Sequence, residues 1–309
     1  MTSGLFAPPE LVRTEVFAEV PLRHRKQGTP PERLAAGKSA TPAGCFLEGP
    51  AFDRAGNLYV VDLAYGRIFK ISPKGEFETF AEYDGEPNGI AIHKDGRIFV
   101  ADHLHGILAF DPESRSMKPV VSRYHQQRFK GVNDLAFDLQ GNLYFTDQGQ
   151  SGIADPSGRV WRLRGNGELQ RLLSNAPSPN GITLNRKNSQ VYVAITRAQQ
   201  VWRLPLMQGG TPSKTGVAIQ LSGGHAGPDG IETDEEDGLV VCHLGVGVWR
   251  FDANCLPTHL VHAGKQHRLM TNIAFGGPKR RTLYITDSLN GEILVAEMPV
   301  AGKKMFAHR

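Results

Sequence analysis

Six related segments follow one another along this chain, and this internal repeat constrains the fold more than any other feature. In the first copy, residues 46–72 (FLEGPAFDRAGNLYVVDLAYGRIFKIS), three short apolar runs are separated by turn residues. Later copies begin at Pro87, Val132, Pro179, Pro228 and Met270. When the copies are aligned on their first apolar run, the steps between them are 40 to 49 residues long. Four short strands at this period are typical of a β-propeller blade. The sequence therefore predicts an all-β, six-bladed β-propeller with four antiparallel strands per blade.

The last repeat supplies only three strands, because its pattern ends after residues 292–298. Its outer edge would then remain unpaired, and an open edge invites aggregation. Residues 14–20 (TEVFAEV) alternate polar and apolar side chains in the manner of a strand. We expect this N-terminal strand to complete the sixth blade and close the ring.

We expect one propeller domain over residues 1–309. In it, residues 1–45 form the closing strand and a Pro-rich basic arm, residues 46–298 the six blades, and residues 299–309 a C-terminal tail. The 35 glycines and 20 prolines fit a chain rich in turns, and no apolar run is long enough to span a bilayer. The segment MTSGLFAPPELVRTE lacks a basic start followed by an apolar core, so we expect a cytoplasmic protein without a membrane partner.

The number and spacing of the cysteines do not favour a disulfide framework, and the charge does not favour a nucleic-acid partner. Cys45, Cys242 and Cys255 are odd in number and show no CxxC spacing, which favours reduced structural thiols. The formal net charge is only +4, and the one dense basic cluster, residues 23–26, has no interleaved aromatic residues.

Antiparallel connectivity places two rings of side chains on one face of the propeller. The first strand of a blade is the innermost, and the second strand must end beside the start of the first. The first ring contains Glu48, Asn88, Asn133, Asn180, Asp229 and Thr271. The second ring contains Asp62, Asp102, Asp147, Ile195, His243 and Asp287.

Four members of the first ring carry the oxygen atoms that hard cations prefer. Glu48 and Asp229 supply carboxylates, and Asn133 and Asn180 supply amide oxygens, which suit Ca²⁺ or Mg²⁺. Asn or Asp before Gly can also be a simple turn residue, and we interpret Asn88 in this way. Glu has no such turn preference, so we interpret Glu48 as a metal ligand.

The strings LEGPAFD, GVNDLAFD, PSPNGI and GPDGI stand in order in blades one, three, four and five. In these motifs the chain resembles the SMP-30/gluconolactonase/luciferin-regenerating-enzyme-like family of six-bladed propellers, over about residues 46–298. The resemblance implies a divalent cation in the central channel, Ca²⁺ or alternatively Zn²⁺ or Mg²⁺. It also implies that Glu48, Asn180 and Asp229 hold this ion. Asn133 matches a family residue that contacts metal or substrate, and Asp134 beside it matches an acidic residue that we place behind the ligands.

The resemblance further implies hydrolysis of a small-molecule lactone, usually a sugar lactone, although relatives that hydrolyse organophosphorus compounds are also included. In the expected mechanism, the ion polarises the lactone carbonyl and Asp229 activates the attacking water. A carboxylate beside a cation has a depressed pKa and is a weak base, so Asp134 is the alternative base.

Arg128, Gln148, Arg197 and His243 lie around the expected channel mouth. They are candidates for binding a polyhydroxylated or anionic substrate, and they are equally well explained as solvated loop residues. Motifs for a serine nucleophile, a zinc protease or a nucleotide phosphate are absent from the sequence. Three hypotheses remain: a metal-dependent lactonase, a phosphotriester hydrolase and a non-catalytic binding propeller, each as a monomer or small homo-oligomer.

Overall fold

A computed structural model describes residues 7–26, 43–264 and 268–309 of the chain. Most of the predicted basic arm, residues 27–42, lies outside the described residues. Within the described ranges, helix is limited to four short 3-10 helices, namely Leu22–His24, Leu63–Tyr65, Thr196–Ala198 and Phe306–His308.

The strands follow the repeat, with two strands ahead of the first blade. These two are β1 (Glu10–Arg13) and β2 (Glu15–Glu19). Blade one contains β3 (Leu47–Phe52), β4 (Leu58–Asp62), β5 (Arg67–Ile71) and β6 (Phe77–Glu82). Blade two contains β7 (Pro87–Ile92), β8 (Ile98–Asp102), β9 (Gly106–Phe110) and β10 (Met117–Val121).

A two-stranded hairpin of β11 (Arg123–Tyr124) and β12 (Gln127–Arg128) precedes blade three. Blade three contains β13 (Val132–Phe137), β14 (Leu143–Asp147), β15 (Gly158–Leu163) and β16 (Leu169–Ala176). Blade four contains β17 (Pro179–Leu184), β18 (Gln190–Ile195), β19 (Gln200–Pro205) and β20 (Gly216–Gln220).

Blade five contains β21 (Pro228–Thr233), β22 (Leu239–His243), β23 (Gly247–Phe251) and β24 (Pro257–His262). Blade six contains β25 (Met270–Gly276), β26 (Thr282–Asp287) and β27 (Glu292–Glu297). Within each blade, the strands from β3 to β27 named above are hydrogen-bonded in sequence order, as an antiparallel meander. The predicted six-bladed propeller is confirmed.

The N-terminal segment closes the ring as predicted and also does something that the repeat did not predict. Strand β2 pairs antiparallel with β27 and becomes the fourth strand of blade six, with Glu15 opposite Val295. Strand β1 pairs parallel with β24, with Glu10 opposite His259. Blade five therefore has five strands, and one short segment joins two neighbouring blades.

The hydrophobic core is divided into clusters that each lie between two adjacent blades. The largest fully buried side chain, Trp161, belongs to the cluster between blades two and three, where the rings of Tyr124 and Phe129 lie 4.9 and 5.6 Å from it. Because both faces of each blade are covered, its inner strands are apolar on both sides, as in Ile98–Asp102. Burial between blades holds the inner strands around a central channel.

The C-terminal tail crosses the end of the channel opposite the two predicted rings. Gly302 bridges to Asp234, and the backbone N–H of Lys303 donates to the carbonyl of Thr233. Further on, the ring of Phe306 packs 4.9 Å from that of His93, and Arg54 donates to the carbonyl of Ala307. The tail thus binds blades five, two and one beneath the channel.

Candidate metal and catalytic site

The first predicted ring is present, and all six of its members are buried at the start of an innermost strand. Glu48 is 5% exposed, Asn133 3%, Asn180 8% and Asp229 7%. Charged and amide side chains are seldom this buried unless they have partners or ligands.

Three of these strands, in blades one, four and five, are anchored by a hydroxyl group from a neighbouring blade. Thr146 donates to the carbonyl of Asn180 at 2.7 Å, and Thr196 donates to that of Pro228, next to Asp229, at 2.7 Å. Ser288 donates to the carbonyl of Leu47, next to Glu48, at 2.6 Å. These bonds fix the backbone at or next to three of the ring residues.

Close approach of the inner strands depends on the residue that follows each ring member. That residue is glycine in blades one, two, four and five, but Asp134 in blade three and Asn272 in blade six. A Cβ atom at Gly89 would lie 2.6 Å from Oδ1 of Asp134, and one at Gly230 would lie 2.3 Å from Oδ1 of Asn272. The two polar side chains therefore occupy the space that a neighbouring glycine leaves free.

Asp134 is held by backbone donors from two blades. Its Oδ1 accepts from the N–H of Leu135 at 2.9 Å, and its Oδ2 accepts from the N–H of Ile182 at 3.1 Å. Burial, together with the charges of Glu232 and Glu48, raises the pKa of Asp134 to about 7, although both N–H donors oppose the shift. This carboxyl can therefore hold or release a proton near neutral pH.

Glu48 is oriented by Asn272, a residue that the sequence analysis did not select. The Nδ2 of Asn272 donates to Oε2 of Glu48 at 3.2 Å, and the N–H of Gly49 donates to the same oxygen at 3.3 Å. Asn272 directly follows the ring member of blade six, just as Asp134 follows that of blade three. That equivalence was readable from the repeat and could have identified it.

The acidic groups of the channel lie close enough to influence one another. Burial raises the pKa of the Cys242 thiol well above its ordinary value, and the charges of Asp229 and Glu48 add to the shift. Because Glu48 also acts on Asp134, the carboxylates of blades one, three and five share one electrostatic environment. Such a group of like charges is stabilised by a cation.

The amide of Asn180 behaves differently from an ordinary buried amide. Within the described residues its side chain makes no hydrogen bond, and the same holds for Asn88. The amide oxygen and nitrogen are not among the fully enclosed atoms without a partner, so they face accessible space and can meet a ligand. Glu48, Asn180 and Asp229 are thus a suitable oxygen donor set for a hard divalent cation.

Among the described residues, no three His, Cys, Asp or Glu side chains cluster in a way that could hold a metal ion. Any ion in this channel would therefore need amide oxygens as well as the two carboxylates.

Aspartates of the second ring accept hydrogen bonds from the loops on the same face. Asp102 accepts from the N–H groups of Glu86, Leu104 and His105, and Asp147 accepts from those of Lys130 and Gly131. Asp62 is paired with Arg67. Burial raises the pKa of Asp62 and of Asp147. These carboxylates tie the connectors between blades to the sheet edges.

The other residues predicted at the mouth have different surroundings. Arg128 is exposed on β12, and Arg197 is exposed in the helix Thr196–Ala198. His243 is 2% exposed, with Nε2 3.2 Å from the carbonyl of Gly223 and Nδ1 accepting from Trp249 at 3.3 Å. Burial lowers the pKa of His243. Both of its ring nitrogens are therefore engaged within the fold.

A cavity of about 60 Å³ lies on the axis between the ring and the C-terminal tail. Its polar lining residues include Asp134, Asn272, Glu232 and Lys303. The ammonium of Lys303 donates to the carbonyl of Leu184 at 2.7 Å and to Oγ1 of Thr233 at 2.8 Å, and it lies 3.6 Å from Glu232. The tail therefore brings a positive charge to the closed end of the channel.

A six-bladed β-propeller that buries two carboxylates and three amides at the starts of its first strands defines the general class of this protein. Residues 46–288 match the family model described as SMP-30/Gluconolactonase/LRE-like region. The chain belongs to this family, as its motifs had indicated.

Among curated proteins, the chain is similar to the lactonase drp35 of Staphylococcus aureus, with 31% identity over 221 residues. This match covers 66% of the chain and 65% of the relative. A lactonase drp35 of Staphylococcus haemolyticus is 30% identical over 215 residues, with the same coverage. The chain therefore spans about two thirds of the length of these relatives.

Solved structures share the fold at low identity. A gluconolactonase from Xanthomonas campestris superimposes with a TM-score of 0.73 and 22% identity, over 82% of this chain and 86% of that one. Regucalcin from Agrobacterium tumefaciens, described as a calcium-binding protein, superimposes with a TM-score of 0.78 and 18% identity, over 98% and 100%. Among the described residues, no helix has the length and apolar character needed to cross a membrane.

Proposed function

We propose that this protein is a divalent-cation-dependent hydrolase that opens the ring of a lactone, with sugar lactones as the preferred class. The observation that carries the proposal is the ring itself, in which buried Glu48 and Asp229 and the unused amide of Asn180 stand at one end of the channel. The similarity to lactonase drp35 and the family membership support the reaction type.

Glu48, Asn180 and Asp229 would hold the ion, with Asn133 as a further oxygen donor to the ion or to the substrate. Ca²⁺ is the cation that this oxygen set suits best, and Zn²⁺ or Mg²⁺ are the alternatives. The similarity to a calcium-binding regucalcin is consistent with Ca²⁺. When bound, the ion supplies Lewis-acid polarisation of the lactone carbonyl.

The residues of the chain complete the reaction. Asp229 takes a proton from water as the water oxygen attacks the carbonyl carbon. The bond between that carbon and the ring oxygen then breaks, and the ring oxygen receives the proton. Asp134, with its pKa near 7, is the alternative base. The buried floor of the channel excludes bulk water from this exchange.

Substrate hydroxyl groups would meet the side chains at the mouth. Arg128 and Arg197 are exposed, and each would donate to a polyhydroxylated or anionic ligand.

The experiment is a substrate panel run on the full-length protein after treatment with a chelator. The panel contains aldonolactones, aliphatic lactones and an aryl phosphotriester, each assayed without metal and with Ca²⁺, Mg²⁺ or Zn²⁺ restored. We expect ring opening of a lactone that is lost with the chelator and recovered with an ion. Glu48→Gln should lower this activity at least about 100-fold, because a direct ligand is lost.

Glu113→Gln is the matched control, since Glu113 is exposed on the hairpin between β9 and β10. Turnover of the phosphotriester alone would replace the lactonase proposal with a phosphotriesterase. If no substrate in the panel is hydrolysed with any of the ions, the third hypothesis, a non-catalytic propeller that binds a partner, would replace the lactonase proposal.

A further inference from the structure

Three polar side chains form a hydrogen-bonded chain beside the channel. The Nδ2 of Asn133 donates to Oε1 of Gln148 at 3.0 Å, and Nε2 of Gln148 donates to Oγ of Ser178 at 2.9 Å. Asn133 and Ser178 are 3% and 4% exposed, so the chain is largely shielded from solvent. It begins on the first strand of blade three and ends just before the first strand of blade four.

The backbone around Gln148 is fixed by the loop that follows β14. Its N–H donates to the carbonyl of Gly131, and its own carbonyl accepts from Oγ of Ser151 at 2.6 Å. The same Ser151 hydroxyl accepts from the N–H of Ser178 at 3.0 Å. The Ser151 hydroxyl therefore holds the backbones of Gln148 and Ser178 close to each other.

Ser178 adopts a backbone conformation that a residue with a Cβ atom rarely takes. Its φ is +62°, in the left-handed region, and its carbonyl accepts from the N–H of Thr196. A strained residue is retained only where the surrounding structure holds it in place. Ser178 lies two residues before Asn180, so it connects the amide of Asn133 to the strand that carries a proposed ligand.

This arrangement decides which end of the Asn133 amide remains available. An asparagine side chain offers an NH₂ donor at one end and a carbonyl acceptor at the other. Because Nδ2 is used by Gln148, Oδ1 is the end left over, and it makes no hydrogen bond within the described residues. A carbonyl oxygen is the end that a cation or a substrate hydroxyl requires.

We infer that Gln148 and Ser178 are positioning residues that hold Asn133 with its Oδ1 presented to the channel. The inference rests on the proposed function, since it concerns the site where ion and lactone would bind. It also changes the role expected for Gln148 from the sequence, because both ends of its side chain are used in orienting Asn133. Partners behind a metal site commonly change metal affinity or activity roughly 10- to 100-fold when they are removed.

The test uses the full-length protein and four variants: Gln148→Met, Gln148→Glu, Ser178→Ala and the double variant Gln148→Met/Ser178→Ala. For each, Ca²⁺ affinity is measured by calorimetry without substrate, kcat and KM are measured with the lactone, and stability is measured by urea unfolding. We expect Gln148→Met to weaken Ca²⁺ binding or kcat/KM roughly 10- to 100-fold, with a smaller loss for Ser178→Ala. The double variant should lose no more than Gln148→Met alone, because Ser178 acts through Gln148.

Gln148→Glu tests the direction of the amide. A carboxylate still accepts from Nδ2 of Asn133, and the Ser178 hydroxyl can turn to donate to it, so this variant should retain Ca²⁺ binding within a few-fold of the parent. If Asn133 were turned the other way, Gln148→Glu would be as damaging as Gln148→Met, and that result would overturn the inference. Gln220→Met, on the exposed outer strand of blade four, is the control for loss of a glutamine.

Gln148→Met with unchanged Ca²⁺ affinity and kcat/KM would refute the positioning role while leaving the lactonase proposal intact. A parent protein that neither binds an ion nor opens a lactone would instead refute both. If the losses of Ca²⁺ affinity or kcat/KM in the double variant are fully additive, Ser178 does not act through Gln148.

Discussion

Asn272 donates a hydrogen bond from Nδ2 to Oε2 of Glu48 at 3.2 Å, although the two residues lie 224 positions apart in the chain. The bond joins blade six to blade one across the point where the ring closes. It also commits one oxygen of the only glutamate in the first ring. The geometry of the proposed ion site therefore depends on the last blade being correctly paired.

Replacing Asn272 with Leu should weaken divalent-ion binding roughly 10-fold, because Glu48 loses the donor that fixes its orientation. Leu has the same number of side-chain heavy atoms as Asn and branches at the same carbon, so it can occupy the space beside Gly230. Ca²⁺ affinity measured by calorimetry is the readout, and Asn166→Leu in an exposed hairpin is the control. Unchanged affinity in Asn272→Leu would show that Glu48 needs no such support.

Asp229→Asn and Asp134→Asn separate the two candidate bases. With Asp229 as base, Asp229→Asn should lower kcat by a factor of about 100 to 10,000 even when the ion is saturating. Asp134→Asn should have a smaller effect on kcat. Steady-state kinetics at several Ca²⁺ concentrations distinguish loss of ion from loss of base, and Asp111→Asn on an exposed turn is the control. The assignment fails if Asp229→Asn keeps its ion affinity and most of its turnover.

Asp134 should make the stability of the chelated protein depend on pH. Its pKa is about 7 in the folded state against an ordinary 3.8, so between these values the folded state binds more protons than the unfolded state. This contribution is fully present below about pH 4 and is lost as the pH rises through about 7, with a slope of at most about 1.4 kcal/mol per pH unit. Urea unfolding across this range measures the slope.

In Asp134→Asn that component of the slope should disappear, while the contributions of other groups remain. Addition of a divalent cation should restore stability at high pH, since the positive charge favours the ionised carboxyl. Equal pH dependence in the parent and in Asp134→Asn would contradict the assigned shift.

Lys303→Met should lower the free energy of unfolding by about 3 kcal/mol, because it leaves the carboxylate of Glu232 without its buried partner. Burial lowers the pKa of Lys303, and the charge of Glu232 opposes that shift. Urea unfolding is the measurement, and exposed Lys304→Met is the neighbouring control. The two variants would be equally stable if the ammonium contributed nothing, whereas the additional change Glu232→Gln should recover much of the loss.

The repeat was sufficient to predict the blades, because each copy carries its own turns and its own apolar strands. The closing strand was predictable for a different reason, namely that blade six lacked an outer strand and residues 14–20 had the right alternation. Strand β1 was not predictable in this way. Its parallel pairing with β24 completes no deficient blade, and four residues carry too little periodicity to assign.

The sequence was sufficient to predict where the site residues lie in the repeat, but it was not sufficient to predict the hydrogen bonds that their side chains make. Glu48, Asn133, Asn180 and Asp229 share a repeat position, so alignment places them in one ring. The bonds from Asn272 to Glu48 and from Asn133 through Gln148 to Ser178 depend on side-chain geometry between blades, which a repeat pattern does not contain. The path of the C-terminal tail was equally hidden, since it depends on Lys303 reaching oxygens of blades four and five.

The pairing of β2 with β27 has a consequence for biosynthesis. Glu15 leaves the ribosome about 280 residues before its partner Val295, so the closing strand must wait for most of the chain to be made. During that interval blade six does not exist, and Glu48 has no contact with Asn272. Any ion recruited before release of the chain would therefore meet an incomplete set of supporting bonds, and full affinity should arise only after translation has passed the sixth blade.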